Sequence, residues 1–277
     1  SRAGRSRPML RSETPRFGAG GRARALLGLA LLVGVGSGLA LADTTPRMAY
    51  GAAEVHTGVV VAAPHEGFDS HTAPMARQIA RELGTGWVTA SNFRKTKLRR
   101  WFDVNRPTQR FWVEGRRGRG QVTDEGTQVY AEYQKRVDAA SGRTPLDLLV
   151  EIHGHARRAR IEGQVQKVHV IELATRGFER EELVALKARY EEALEALPEG
   201  DRVALIVEQL DETYVYRGVE LEFYFGASGS KRAGSLSPQR AKKALHFECP
   251  SHVRFDPERR KRYATLFAKV LRPLLSK

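Results

Sequence analysis

The sequence predicts an α/β protein built as a three-layer α/β/α sandwich, with a central, mainly parallel (mixed) sheet between two helical layers. Three observations predict it. From residue 57 onward, β-branched runs of strand length alternate with amphipathic helical stretches. The first strand, helix and strand are joined by connectors of a few residues, which makes a right-handed βαβ unit. Over 277 residues, 41% hydrophobic and 28% charged content is enough for one sizeable core and unlike a disordered chain.

The elements follow in order. "TGVVVAAP" (57–64) has the length and branching of a buried strand. "TAPMARQIARELG" (72–84) is a helix: Thr72 can cap it, Pro74 suits its first turn, Met75, Ile79 and Leu83 recur at helical spacing, and Gly84 stops it. "GWVTAS" (86–91) is the second strand. Residues 92–121 read as a long Arg- and Gly-rich connection, a length usually reserved for functional loops. A helix is expected at 125–141, strands at 145–155 and 166–175, a long amphipathic helix at 179–200 and a strand at 201–210. A strand and turn at 215–230, a last strand at 242–250 and a terminal helix at 257–277 complete the pattern.

The N-terminal part differs from the rest. Residues 1–24 hold seven Arg and one acid, Glu13; residues 25–42, "ALLGLALLVGVGSGLALA", hold no charge and end in the small-x-small triplet Ala40-Leu41-Ala42. Basic region, apolar region and cleavage site in that order read as a signal peptide over 1–42, with 1–8 upstream of the true start. The competing reading is a retained anchor, the one route by which the protein would meet a membrane. Export places the protein in the periplasm or outside the cell. Residues 43–56 read as an N-terminal extension, and 57–277 as a single catalytic domain.

With residues 1–42 removed, the formal charge falls from +14 to +8. A basic surface favours anionic partners such as acidic substrates or cell-wall polymers. Nucleic acid is not expected: "FRKTKLRR" (93–100), "EGRRGRGQ" (114–121) and "HARRARIEG" (155–163) are scattered and form no recognisable binding module. The single cysteine, Cys249, excludes an intrachain disulfide and a Cys-rich zinc framework, and reads as a core residue. Any metal must therefore be held by His and carboxylates.

In open α/β sheets, sites form beyond the carboxyl ends of the strands. This chain ends its first strand in His65, Glu66 and Asp69, a middle strand in His153 and His155, and its last in Glu248. Two imidazoles and a carboxylate make a catalytic zinc set, and a second carboxylate beside it can accept a proton from water. Each residue also has a plainer reading. His65 could be a turn residue, His153 a satisfied core histidine that His155 replaces as ligand, and Asp69 a helix cap with Glu66 the ligating acid. Glu248, in "LHFECP", needs a partner, because a lone buried carboxylate is costly. His56, His169, His246 and His252 lack a comparable setting. "DVNRP" (103–107) offers Asn105 and Arg106, whose planar guanidinium fits a carboxylate and which Asp103 could orient. Arg157 and Arg158 could add to such a pocket.

"PHEGFDSHT", "DVNRP", "EIHGH" and "HFE", in that order, resemble the N-formylglutamate amidohydrolase-like group of the zinc carboxypeptidase superfamily. The resemblance spans roughly residues 57–270. It implies the three-layer zinc carboxypeptidase, or phosphorylase/hydrolase-like, fold and one zinc ion. His65, Asp69 and His153 would be metal ligands, Glu248 the general base, and Asn105 and Arg106 binders of a substrate carboxylate. Carboxypeptidases place the ligand acid three residues after the first His, where this chain has Phe68. The expected activity is zinc-dependent hydrolysis of an acidic N-acyl amino acid, peptide or cell-wall fragment. The alternative is a non-catalytic module of the same fold that binds an anionic cell-wall polymer.

Overall fold

A computed structural model describes residues 45–95, 100–227 and 229–275. The proposed leader, 1–42, lies outside the described residues. A seven-stranded sheet is made of β1 (Arg47–Gly51), β2 (His56–Glu66), β3 (Thr85–Ser91), β4 (Leu146–His155), β5 (Ile171–Arg176), β6 (Leu205–Val207) and β7 (Ala241–Pro250). Their spatial order is β1-β3-β2-β4-β7-β5-β6. β1 runs antiparallel to β3, and β5 antiparallel to β7; the other neighbours are parallel.

Side chains alternate across the strands, so each strand feeds two cores. Val59, Val61 and Ala63 of β2, Leu148, Val150 and Ile152 of β4, and Leu245, Phe247 and Cys249 of β7 face one side. There they meet α1 (Thr72–Leu83), α3 (Arg180–Leu194) and α4 (Pro257–Leu271) through residues such as Ile79, Leu186 and Phe267. Full burial of each such aliphatic or aromatic chain contributes about 1.5–3 kcal/mol. Val60, Ala62, Leu149 and Ala244 face the other side, against Tyr133, Val137 and Ala140 of α2 (Asp124–Ser141) and against Phe102, Val104 and Leu236. The result is a three-layer α/β/α sandwich on a mixed sheet.

On the α2 side the alternating positions turn polar toward the carboxyl ends of the two central strands: Glu151, His153 and His155 on β4, His246 and Glu248 on β7. All five are buried. The parallel register sets Glu151 beside His246 and His153 beside Glu248.

Several elements differ from the sequence reading. Residues 47–51, read as part of an extension, form an edge strand, because pairing with β3 satisfies their backbone. The connection 92–121 contains a small sheet of two- to four-residue strands (94–95, 100–103, 108–110 and 121–122) and a hairpin at 112–113 and 116–117, all too short to show periodicity. The run 166–175 divides between a hairpin strand at 164–167 and β5. α3 ends at Leu194 rather than 200, since Pro198 disfavours helical backbone at Leu197. The expected strand 201–210 reduces to Leu205–Val207, after which Leu210 and Asp211 N–H groups turn back onto the Val207 carbonyl. Cys249 is fully buried in the core.

Candidate metal centre

β2 delivers His65 at its end, and a tight turn returns Asp69 to it. Gly67 adopts φ +92°, and the Phe68 and Asp69 N–H groups both donate to the His65 carbonyl, at 3.1 and 2.8 Å. A Cβ at Gly67 would be strained and would lie 2.9 Å from Asn92 Oδ1, so glycine is required there. β4 brings His153 from the neighbouring strand. His65 Nδ1 stands 3.1 Å from His153 Nδ1, and Asp69 Oδ2 lies 3.3 Å from His153 Nδ1 and 3.5 Å from His65 Nδ1.

Those spacings fit a divalent cation. Ligand atoms set tetrahedrally at zinc distances stand about 3.3–3.6 Å from one another. Two imidazole nitrogens and a carboxylate oxygen turned toward one point also demand positive charge between them, either a proton or a metal ion. In the protein alone the charge falls to His153. Burial works against it, but hydrogen bonds to Asp69 and Glu151 outweigh burial and raise it to about 9. Burial, aided by the Arg94 charge, lowers His65 to about 3, so its imidazole is neutral. Burial would raise Asp69, yet the two histidines hold its carboxyl far below the usual range. The trio is buried, two nitrogens and one oxygen, with ligand types suited to zinc.

The geometry also separates residues that the sequence leaves as alternatives. Glu66 closes the N-terminus of α1: its oxygens accept from Ala73 N at 2.7 Å and His71 N at 3.0 Å, where His71 itself supplies no side-chain cap. Glu66 is thereby committed to the helix, and Asp69 is the acid beside the histidines. His155 is committed too: Nε2 bonds the Val170 carbonyl at 2.9 Å and Nδ1 accepts from Arg157 N at 3.2 Å.

Around the trio lies a cavity of about 280 Å³ that also takes in Glu248, His246, Asn105, Arg94, Arg106, Arg110 and Lys231, with Phe68, Trp101 and Phe225 as aromatic lining. Asp103, 1% exposed, gathers the arginines. Arg94 pairs with its Oδ1, and Arg106 and Arg110 reach Oδ2 at 3.2 and 3.4 Å. Burial would raise Asp103, but Arg94 and Arg106 hold it well below the ordinary carboxylate range. Its negative charge fixes three guanidinium groups in one wall.

Glu248 is buried with His246 Nε2 3.0 Å from its Oε1. Burial pushes its pKa up; the His246 bond and the charges of His153 and Lys231 more than offset this and keep it below the usual value, so it is ionised. Asn105 Nδ2 donates to Glu151 Oε2 at 3.1 Å, while its Oδ1 is buried with no hydrogen-bond partner among the described residues.

Arg157 needs correction as a pocket residue. It is absent from the cavity lining; its guanidinium bonds Glu172, Tyr214 Oη at 2.7 Å and the Glu222 carbonyl at 2.7 Å. A buried Glu172 competes for it more strongly than an open pocket could. Sequence reasoning passed over Glu151, His246, Arg94, Arg110 and Lys231. For the first two a signal was present: in "LLVEIHGH" and "LHFE", Glu151 and His246 stand two residues before His153 and Glu248, hence on the same strand face.

No family model matches the sequence, and no curated protein matches it. Solved structures do resemble it. N-formylglutamate amidohydrolase from Ralstonia eutropha JMP134 is 12% identical, covers 82% of this chain and 97% of its own, and superposes with a TM-score of 0.47. A gene product of Agrobacterium tumefaciens is 13% identical over 83% of this chain and 94% of its own, with a TM-score of 0.46. A bacteriophage poly-gamma-glutamate hydrolase is 8% identical over 82% and 86%, with a TM-score of 0.38. These are likenesses of backbone; the chemistry of the site rests on its own residues.

Proposed function

We propose that the protein is a zinc-dependent amide hydrolase acting on a substrate that carries a carboxylate. The observation that carries this reading is the convergence of His65, Asp69 and His153, with donor atoms 3.1 to 3.5 Å apart, in one cavity with an ionised Glu248 and three arginines. His65, Asp69 and His153 would hold the ion. When bound there, zinc polarises an amide carbonyl and acidifies water.

The chain's own residues do the rest. Glu248, kept ionised and turned by His246, accepts a proton from the attacking water and hands it to the leaving nitrogen. Arg94, Arg106 and Arg110 set their planar guanidinium groups in the cavity wall, a shape and charge that match a carboxylate, and they grip the substrate carboxylate. The Asn105 carboxamide orients the amide, and its unpartnered Oδ1 is available to a substrate N–H. Phe68, Trp101 and Phe225 shield the reacting bond from bulk water. The substrate class is an acidic N-acyl amino acid, peptide or cell-wall fragment. Export to the periplasm or beyond, supported by the basic and apolar segments of 1–42, favours the last two, and an anionic cell-wall polymer is the accompanying partner.

The test is metal analysis of the purified protein together with hydrolysis of N-formyl-L-glutamate, N-acetyl-L-glutamate and γ-glutamyl peptides, with and without a chelator. One divalent ion per chain and chelator-sensitive amide cleavage are expected. Hydrolysis that persists in metal-free protein, or a preparation that takes up no zinc, rules the reading out.

A further inference from the structure

The pocket leaves one group without a role. Glu151 is fully buried, sits at the centre of the sheet and lies two residues before His153. Its Oε2 is 3.3 Å from His153 Nε2, 3.1 Å from His246 Nδ1 and 3.1 Å from Asn105 Nδ2; its Oε1 accepts from Ser235 Oγ at 2.6 Å. Four polar groups surround this one carboxylate, which makes it a partnered hub rather than a stray buried charge. Two of the four lead to the reacting groups. His153 turns its other nitrogen, Nδ1, toward Asp69 and His65; His246 turns its other nitrogen, Nε2, toward Glu248. The two rings stack with centroids 3.9 Å apart, so neither rotates independently of the other.

We propose that Glu151 is a positioning residue that fixes the metal-ligating nitrogen of His153 and, through His246, the carboxylate of Glu248, so that one buried side chain aligns ligand and base together. This rests on the metal-dependent hydrolase reading above. As an acceptor Glu151 selects the ring proton on His153 Nε2, which leaves the Nδ1 lone pair for a cation. The same carboxylate lies 3.1 Å from His246 Nδ1 while His246 Nε2 lies 3.0 Å from Glu248, so the ring is held edge-on between the two carboxylates. A Gln at 151 presents an NH2 to groups that are themselves donors, so at least one of the two rings must lose its partner or turn.

The experiment uses the full chain and two probes: zinc affinity, measured by competition with a chromophoric chelator, and the visible absorption of the cobalt-substituted protein, which reports ligand arrangement. Glu151→Gln is expected to weaken zinc binding 10–100-fold and to change the cobalt spectrum. His246→Asn, which spares the His153 bond to Glu151, is expected to keep zinc affinity within about threefold while lowering kcat and leaving KM near its original value. Circular dichroism confirms folding; should Glu151→Gln fail to fold, Glu151→Asp and Ser235→Ala, which perturb the hub less, take its place and are expected to weaken zinc binding in the same direction. Zinc affinity and cobalt spectrum unchanged in the hub variants, in a wild type that binds zinc and hydrolyses an amide, overturn the inference alone. A wild type that binds no zinc overturns the hydrolase reading and this inference with it.

Discussion

His65 Nδ1 and His153 Nδ1 stand 3.1 Å apart, although 88 residues separate them along the chain. In the protein alone the charge on His153 sits between them, with the His65 imidazole neutral; a divalent cation can take the place of that proton and bind both nitrogens. Whatever binds there ties the end of β2 to the end of its neighbour β4 in the middle of the sheet.

Removal of the metal is therefore expected to cost stability. A ligand at a hundred times its Kd stabilises the folded state by about 2.7 kcal/mol, so stripping zinc lowers the melting temperature by on the order of 5–10 °C. His153→Ala removes a ligand atom and is expected to abolish the shift between zinc-loaded and chelated protein. Differential scanning fluorimetry with and without chelator reads both, and identical melting curves for loaded and stripped wild type would remove the metal from the account.

Glu248→Gln keeps the shape of the side chain and its hydrogen bond to His246 but removes the proton acceptor. General-base catalysis is worth about 10²–10⁴-fold, so kcat is expected to fall by that factor while zinc content stays at one ion per chain. Parallel metal analysis and steady-state kinetics check it; a variant that retains full kcat assigns the base elsewhere.

Arg106→Ala tests the carboxylate wall. A hydrogen bond to a charged group is worth about 1.5–3 kcal/mol, which predicts a 10–100-fold rise in KM for an N-acyl glutamate. The matching amide, in which the substrate carboxylate is replaced by a neutral group, is expected to show no such difference between wild type and variant.

Asp103→Asn leaves Arg94, Arg106 and Arg110 facing a neutral carboxamide in a buried wall, and is expected to destabilise the fold by about 3 kcal/mol. The pH dependence follows from the sign of the shift. The folded-state pKa of Asp103 lies below its unfolded value, so its stabilisation is fully present above the ordinary carboxylate range and is lost as pH falls toward the depressed value. Denaturant titrations at pH 7 and pH 3 are expected to show a larger gap between wild type and variant at pH 7. An equal gap at both would show that the charge of Asp103 contributes nothing.

Gly234→Ala removes no polar group, yet its Cβ would lie 2.3 Å from the Asn105 carbonyl oxygen and 2.7 Å from Arg106 Cβ. The segment 105–106 must move to admit it. The expected result is a raised KM resembling that of Arg106→Ala with zinc affinity preserved, measured on the same substrate pair; unchanged kinetics would mean that the arginine wall tolerates displacement.

Much of the candidate site's location is legible in the sequence. "PHEGFDSHT", "EIHGH" and "HFE" each close an apolar run, and a strand end is where an α/β sheet exposes polar groups. What could not be read there was choice among neighbours. Glu66 and Asp69 are three residues apart and chemically alike. Only the turn at Gly67 and the start of α1 send one to the helix N-terminus and the other to the histidines. Arg157 read as a candidate addition to the carboxylate pocket, but the fold sets the buried Glu172 beside it.

By itself the sequence determined the layering of this protein, because strand and helix periodicities are local properties of the chain. It also determined which strand ends carry imidazole and carboxylate groups. Tertiary structure alone decided the rest: the order β2-β4-β7 across the sheet, the register that sets His153 beside Glu248, and the convergence of Arg94, Arg106 and Arg110 on Asp103. Register and strand order arise from contacts between segments tens of residues apart, where shape and charge are matched across the sheet rather than along the chain.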